Sequence, residues 1–203
     1  MKAILISIQP KWCELIASGK KIVEVRKTKP KLEMPFKCYI YETKNKHFEN
    51  IGIHYADGRK DFIHNIGKVI GEFVCDAIFP MSVWYSNPND RLSHREYPFT
   101  CLTDKDIMDY LGNGVEGYAW LISDLVIYDK PKVLSEFYVE GDCDCMNCRN
   151  CAWFDRGNGY NVEDDCNLAY KVSDEHKSYK PIKRPPQSWC YCEELKGATD
   201  ERN

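Results

Sequence analysis

Hydrophobic and polar residues change their spacing twice within the first 27 residues of the chain. Residues 3–8 are almost continuously apolar, which predicts a strand buried on both faces. After Pro10 the apolar residues recur at helical spacing, and they are Trp12, Leu15 and Ile16. Proline suits the first turn of a helix, and Gly19 stands where a helix commonly ends in a left-handed residue. This pattern predicts a strand, a short helix and a tight turn, in that order.

The strand that follows this turn carries charges at alternating positions. From Lys21 the period becomes two, so that Val23 and Val25 lie on one face. Glu24 and Arg26 lie on the opposite face, close to Lys21 in sequence. One interpretation is that this charged face is exposed to solvent and carries a Glu–Arg ion pair, which would contribute little to stability. The alternative is a polar pocket at the start of this strand.

The hydrophobic patterns between residues 36 and 128 predict further strands and one more helix. Strand patterns occupy 36–43, 68–79 and 117–128, and Gly71 within the second indicates a bulge or a close backbone approach. Thr103 begins a helix with an acidic residue three positions later, which is the pattern of a capping box. About six strands and two short helices fit an α+β fold built on a small mixed β-barrel.

Composition restricts the classes of protein to which this chain can belong. Of the 203 residues 43% are hydrophobic and 29% are charged, enough for a packed core. The net charge of −3 argues against coating of nucleic acid by bulk charge, but it permits a local basic cleft. The sequence contains no apolar stretch of about 18 residues, which is the length that would predict a membrane span. The first residues show no signal-peptide pattern, and we expect a cytoplasmic protein without membrane partners.

Seven of the eleven cysteines lie after residue 142 and predict a metal site. Zinc takes four thiolate or imidazole ligands in a tetrahedron. The preferred ligands are Cys145, Cys148, Cys151 and Cys166, and one of them could be replaced by Cys143, Cys190 or Cys192. An iron–sulfur cluster and a reduced tail without metal are the alternatives, and we favour structural zinc.

These patterns divide the chain into three regions. Residues 1–140 form the predicted barrel domain, 141–192 an irregular cysteine-rich extension packed on it, and 193–203 a flexible tail. The oligomeric state does not follow from the sequence. Three histidines within 44–66 fit no standard metal spacing, and we expect them at the surface; they are His47, His54 and His64.

The opening of the chain resembles the ASCH family of the PUA-like superfamily. The resemblance rests on residues 6–10 together with Gly19, Lys21, Glu24 and Arg26, and it extends with gaps to about residue 138 through 67–73 and 122–137. Residues 182–191 resemble a closing motif of phage-borne members, which implies a phage or prophage type. The resemblance implies a PUA-like barrel and RNA binding.

The residues themselves support a cleft for a nucleotide. Arginine offers a rigid fork of donors, lysine a point charge and glutamate an acceptor for base N–H groups. A tryptophan adds a stacking face, and single-stranded RNA presents splayed bases to such a cleft. The candidate ligand-binding residues are Gln9, Lys11, Trp12, Lys21, Glu24, Arg26 and Ser188.

Two other functions stay open at this point. A hydrolase acting on RNA or on an acylated nucleoside would use Lys21 and Glu24 as catalytic residues. In the related amidohydrolase that the resemblance suggests, a threonine nucleophile stands three residues after the lysine, and Glu24 occupies that position here. The third hypothesis is a zinc-stabilised protein-interaction module in which the barrel serves only as a scaffold.

The predicted zinc site can be tested by elemental analysis. Protein purified without added metal should contain about one zinc ion per chain, because four thiolates complete one tetrahedral site. The variant Cys148→Ser should lose most of this zinc, whereas Cys101→Ser, outside the cysteine-rich region, should retain it. Iron with visible absorbance would indicate a cluster instead, and protein without either metal would contradict the site.

Overall fold

A computed structural model of the chain describes residues 1–44, 64–82, 96–97, 99–141 and 178–195. The strands of these ranges are β1 (Lys2–Ile8), β2 (Val23–Arg26), β3 (Phe36–Glu42), β4 (Val69–Cys75), β5 (Ile78–Met81), β6 (Glu96–Tyr97), β7 (Leu102–Thr103), β8 (Gly117–Leu121), β9 (Ser123–Lys132), β10 (Tyr138–Gly141), β11 (Ser178–Pro181) and β12 (Trp189–Glu193). The helices are α1 (Pro10–Ala17), α2 (Asp104–Leu111) and a short 3₁₀ helix (Leu134–Glu136).

The largest sheet has the strand order β12-β1-β3-β4-β9. Strands β1 and β3 are parallel, and the other neighbours are antiparallel. Residues of β1 contribute to apolar clusters on both faces of this sheet, with Ile4 and Ile6 on one face and Leu5 on the other. This double burial explains why the first strand is a nearly continuous apolar run rather than an alternating one.

A second, antiparallel sheet has the order β2-β8-β5 and carries the charged strand. In its register Glu24 lies opposite Trp120, and Arg26 lies opposite Tyr118. Trp120 is fully buried and contacts Phe36 edge-on, so the second sheet packs through it against the main sheet. The charged strand is thereby joined to the core through its pairing with β8, the strand that carries Trp120.

The α+β class predicted from the sequence is confirmed, but the described strands form separate sheets and do not close into one barrel. Residues 68–79, predicted as one strand, form β4 and β5 in different sheets. The chain leaves the main sheet at Asp76, and β5 then pairs with β8. An apolar alternating pattern does not reveal which sheet a strand joins, because both sheets bury one face in the same core.

Both predicted helices are present with the expected ends. Helix α1 starts with Pro10, and Gly19 follows it with a φ of 72°, in the left-handed region. At the start of α2 the Thr103 side chain and Asp106 cap each other in a capping box. These hydrogen bonds from Thr103 hold the pKa of Asp106 below its usual value.

The last described segment adds a strand to the main sheet. Strand β12 pairs antiparallel with β1, and the Leu195 amide donates to the Tyr39 hydroxyl over 2.9 Å. The predicted ligands Cys145, Cys148, Cys151 and Cys166 lie outside the described residues, so that zinc stays a prediction. Within the described ranges no group of His, Cys, Asp or Glu is arranged to hold a metal ion. The division of the chain into three regions also stays a prediction.

Helices long and apolar enough to cross a membrane are absent from the described part of the chain.

Strand β4 passes close to β9 at Gly71, which provides a test of the main sheet. A Cβ at this position would lie 2.4 Å from the Val126 carbonyl oxygen, and the backbone there cannot move aside without breaking the ladder. Gly71→Ala should lower the free energy of unfolding by about 2 kcal/mol, measured by urea denaturation. Gly117→Ala is the comparison and should cost less, because its Cβ would meet the Leu111 side chain at 2.6 Å and a backbone atom, the Arg26 carbonyl oxygen, only at 3.1 Å. An equal loss in both variants would contradict the backbone explanation.

Candidate functional site

A cavity of about 490 Å³ lies where the end of β1, helix α1, strand β2 and helix α2 meet. Its wall combines charged, polar and aromatic side chains from distant parts of the sequence. The lining residues used below are Ser7, Gln9, Trp12, Lys21, Glu24, Arg26, Asp106, Asp109, Tyr110 and Gln187. The volume is in the range of pockets that hold small ligands, roughly 300–1,000 Å³.

Lys21 is the most deeply buried charged group of this cavity, with 2% of its surface exposed. Its Nζ donates to the carbonyl oxygens of Val23 (2.8 Å) and Thr100 (2.7 Å). The same atom lies 3.3 Å from Glu24 Oε2. The three hydrogens of an ammonium group thus face three acceptors, so this lysine holds its surroundings in place and has no free lone pair to offer.

The Thr100 carbonyl is held in position by unusual backbone conformations on both sides. Phe99 has a φ of 70° and Cys101 a φ of 55°, in the left-handed region that side chains other than glycine rarely adopt. The Phe99 carbonyl in turn accepts from the amides of Ile22 (3.0 Å) and Val23 (3.1 Å). Such strain costs of order 1–3 kcal/mol per residue and persists where surrounding contacts impose it. It aims a carbonyl oxygen at Lys21.

Glu24 connects Lys21 to Arg26 and completes what we call the charged network (Lys21, Glu24 and Arg26). Its Oε1 lies 2.9 Å from Arg26 Nη2, which also donates to the Ser7 carbonyl over 2.8 Å. The side chains of Glu24 and Arg26 are both 8% exposed. Two cations therefore share one carboxylate, which leaves the charged network itself with one net positive charge, while Asp106 and Asp109 line the same cavity.

Two polar atoms of the charged network are left without a hydrogen-bond partner. Within the described residues, the buried Arg26 Nε donates no hydrogen bond, and the buried Glu24 Oε2 accepts none beyond its 3.3 Å ion-pair contact with Lys21. Leaving a buried polar atom unsatisfied costs roughly 1–3 kcal/mol. A donor and an acceptor that both belong to cavity-lining residues indicate that the network is built to receive a ligand or an ordered water.

Two aromatic rings line the same cavity, and each has a lysine close by. Lys11 Nζ lies 4.0 Å from the centroid of the Trp12 ring, and Lys27 Nζ lies 5.2 Å from that of Tyr110. Lys21 also lies 5.3 Å from the Trp12 ring, from the buried side. Such distances allow cation–π attraction and keep positive charge at the faces of both rings.

The structure brings most of the predicted ligand-binding residues together. Gln9, Trp12, Lys21, Glu24 and Arg26 all line the cavity.

Two predicted ligand-binding residues, Lys11 and Ser188, are not among the lining residues. Lys11 lies over the Trp12 ring. Ser188 uses its carbonyl to accept from the Ser7 amide (2.8 Å), and the neighbouring Gln187 lines the cavity in its place. An extended segment that pairs with a strand presents alternate residues to one side, which explains this shift by one position.

Sequence reasoning missed the contribution of helix α2. Asp106, Asp109 and Tyr110 line the cavity, and their spacing of three and four residues places them on one helix face. This polar face beside the apolar stripe was a detectable signal, although nothing in the sequence showed that it faces the charged strand. The two carboxylates have partners of their own, since Asp106 caps Thr103 and Asp109 pairs with Lys105.

One histidine predicted at the surface is instead buried. The His64 side chain is 5% exposed and its Nδ1 contacts Glu42 Oε1, while Glu42 Oε2 accepts from the Asn65 amide over 2.6 Å. His47 and His54 lie outside the described residues.

Burial and the nearby carboxylates of Glu42 and Glu24 raise the pKa of the Cys13 thiol. Cys13 therefore behaves as a small core residue and not as a nucleophile.

Comparison with known proteins returns similarity to solved structures only. Neither the family models nor the curated proteins contain a match. Similar solved structures are of ASCH proteins: the ASCH protein from Zymomonas mobilis is 23% identical, with a TM-score of 0.45 over 65% of this chain and 73% of that chain. One of its mutant proteins reaches 23% identity and a TM-score of 0.46 over 66% and 77%.

The role of the charged network in stability can be tested with two variants. Glu24→Gln should lower the free energy of unfolding by about 3 kcal/mol, because it leaves two buried cations without a carboxylate. The triple replacement Lys21→Met/Glu24→Leu/Arg26→Met removes all three charges and should lose less, since apolar groups need no partners. Urea denaturation measures both. A triple variant less stable than the single one would show that the network stabilises the fold directly.

Proposed function

We propose that this chain binds RNA by taking one base, or one modified nucleotide, into the cavity of the charged network. The observation that carries this proposal is the buried donor Arg26 Nε, which has no hydrogen-bond partner among the described residues, beside Glu24 Oε2, whose contact is the ion pair with Lys21, in a polar, aromatic-lined cavity. Base edges present neighbouring donors and acceptors, and such an edge would satisfy both atoms. The binding free energy would then include a hydrogen bond to the buried Arg26 donor.

The aromatic and polar wall supports a planar ligand. Trp12 offers a ring face for stacking, and base stacking on aromatic side chains contributes roughly 1–3 kcal/mol per base. Gln9 and Gln187 offer amide donors and acceptors at the same wall. The carboxylates of Asp106 and Asp109 also line the cavity and make it less suited to a polyphosphate than to a neutral base.

The depth of the charged network favours a single strand over a duplex. Glu24 and Arg26 are more than nine-tenths buried, so that only a base turned out of a stack can reach them. Loops and single strands of RNA present such bases without the cost of opening pairs. A free nucleotide would reach the same atoms, but it would lack contacts outside the cavity.

The arrangement of Lys21 favours binding over lysine-assisted hydrolysis. A lysine that activates a nucleophile must accept a proton, and here the group faces two carbonyl oxygens and Glu24. The hydrolase hypothesis therefore receives no support from this geometry and enters as an outcome of the binding assay. The zinc-stabilised interaction module depends on Cys145, Cys148, Cys151 and Cys166, and it stays a prediction.

The proposal can be tested by fluorescence anisotropy with labelled, mixed-sequence single-stranded RNA at low salt. Arg26→Lys keeps a cation beside Glu24 but removes the Nε donor, and we expect affinity to fall roughly tenfold or more, since a charge-assisted hydrogen bond is lost. Lys130→Arg is the control, the reverse exchange of the two cations at an exposed residue that does not line the cavity.

Three results of this assay would contradict base binding in the cavity. They are no binding by the wild type, equal affinity of Arg26→Lys and wild type, and an equal loss in Arg26→Lys and the control Lys130→Arg. Near-ultraviolet circular dichroism checks that Arg26→Lys is folded. Gel analysis of the RNA after the assay separates binding from cleavage, and shortened RNA would support the hydrolase.

A further inference from the structure

An exposed basic segment leaves the cavity directly after the charged strand. Lys27, Lys29 and Lys31 follow Arg26 at alternate positions, and all three are exposed. Lys27 lies over the Tyr110 ring of the cavity wall, and Lys29 lies 5.3 Å from the centroid of the Tyr118 ring. Positive charge therefore continues from the buried network to the surface, next to two aromatic rings.

These lysines form no ion pairs within the described ranges of the chain. Lys27, Lys29 and Lys31 have no carboxylate partner among the residues that the structure describes, in contrast to Lys2, Lys105 and Lys132, which pair with Glu140, Asp109 and Glu136. The chain as a whole has a net charge of −3. Lysines without a carboxylate partner among the described residues therefore form a local surface whose charge is opposite in sign to that of the whole chain. Such charges remain available to the phosphates of a ligand.

A second basic segment is fastened beside the first. Trp189 Nε1 donates to Thr28 Oγ1 over 3.1 Å, and the Lys31 amide donates to the Tyr191 hydroxyl over 2.8 Å. These contacts hold the start of β12 against residues 28–31. The residues that precede β12 include Lys183 and Arg184, both exposed, and Gln187 of the cavity wall.

We propose that this basic surface (Lys27, Lys29, Lys31, Lys183 and Arg184) binds the phosphates of a single-stranded RNA whose base occupies the cavity. The inference rests on the proposed function and specifies that the ligand is a polymer and not a free nucleotide. Phosphate contacts position a strand without reading its sequence, whereas the cavity reads one base. Aromatic rings beside lysines are the combination found on surfaces that bind single strands.

The experiment compares two triple variants of equal charge. Lys27→Gln/Lys29→Gln/Lys31→Gln removes three charges from the basic surface, and Lys2→Gln/Lys130→Gln/Lys132→Gln removes three elsewhere. Affinity for a single-stranded RNA 12-mer is measured by anisotropy from about 50 to 200 mM salt, over which such contacts are sensitive. The slope of log affinity against log salt should flatten by about 2 units in the first variant, at roughly 0.7 per phosphate contact, and should not change in the second.

Parallel ligands distinguish failure of this inference from failure of the proposed function. Binding of a nucleoside monophosphate reports the cavity, and its affinity should change little in the first variant compared with the loss for the 12-mer. An unchanged salt slope with retained Arg26-dependent RNA binding would overturn the basic surface and leave the cavity intact. No binding of RNA or nucleotide at low salt would overturn both proposals. Equal binding of an RNA duplex, or lysine-dependent binding of anionic vesicles without RNA binding, would also overturn the single-strand assignment.

Discussion

The ammonium group of Lys21 is the point on which the site depends. It is bound by carbonyl oxygens from β2 and from the turn before β7, and it contacts Glu24 of β2, the strand that begins two residues after it. These contacts join segments almost 80 residues apart in sequence. Because a buried cation without acceptors is very costly, the turn at Thr100 cannot move without moving the strand as well. The left-handed backbone at Phe99 and Cys101 is part of the same constraint.

Burying the charged network costs desolvation of three charges, and among the described residues its hydrogen bonds are incomplete. This combination is typical of a binding site and not of a core that stabilises the fold. Apolar residues would fill the same volume without desolvation of three charges. Arg26 is held by Glu24 and the Ser7 carbonyl, yet its Nε–H has no hydrogen-bond partner in the part of the chain that the structure describes. Trp120, which lies opposite Glu24 in the sheet, fixes the carboxylate side of this arrangement by packing into the core. The network is thus rigid where it meets the fold and unsatisfied at the cavity.

The charged network and the three lysines of the basic surface that follow it lie on a single segment, along which the side chains become more exposed. Residues 21–26 are largely buried and residues 27–29 are exposed, so that charge passes from the cavity to solvent within a few positions. Strand β12, the last described strand, pairs with β1, and its Trp189 side chain donates a hydrogen bond to Thr28 within this segment. The exposed lysines therefore lie beside the strand that completes the edge of the main sheet. Base recognition and phosphate contact would then be separate physical tasks of neighbouring residues.

The sequence by itself determined the local elements: helix α1 with its proline start, the left-handed Gly19, the capping box of α2 and the charged strand. It also indicated Gln9, Trp12, Lys21, Glu24 and Arg26 as candidates, because these lie within 18 residues and their periodicity places them on neighbouring faces. Only the tertiary structure decided that Tyr110 and Gln187 join them, that Ser188 and Lys11 do not line the cavity, and that His64 is buried. Local patterns follow from backbone geometry and spacing along the chain, whereas these contacts depend on how distant segments pack, which spacing does not encode.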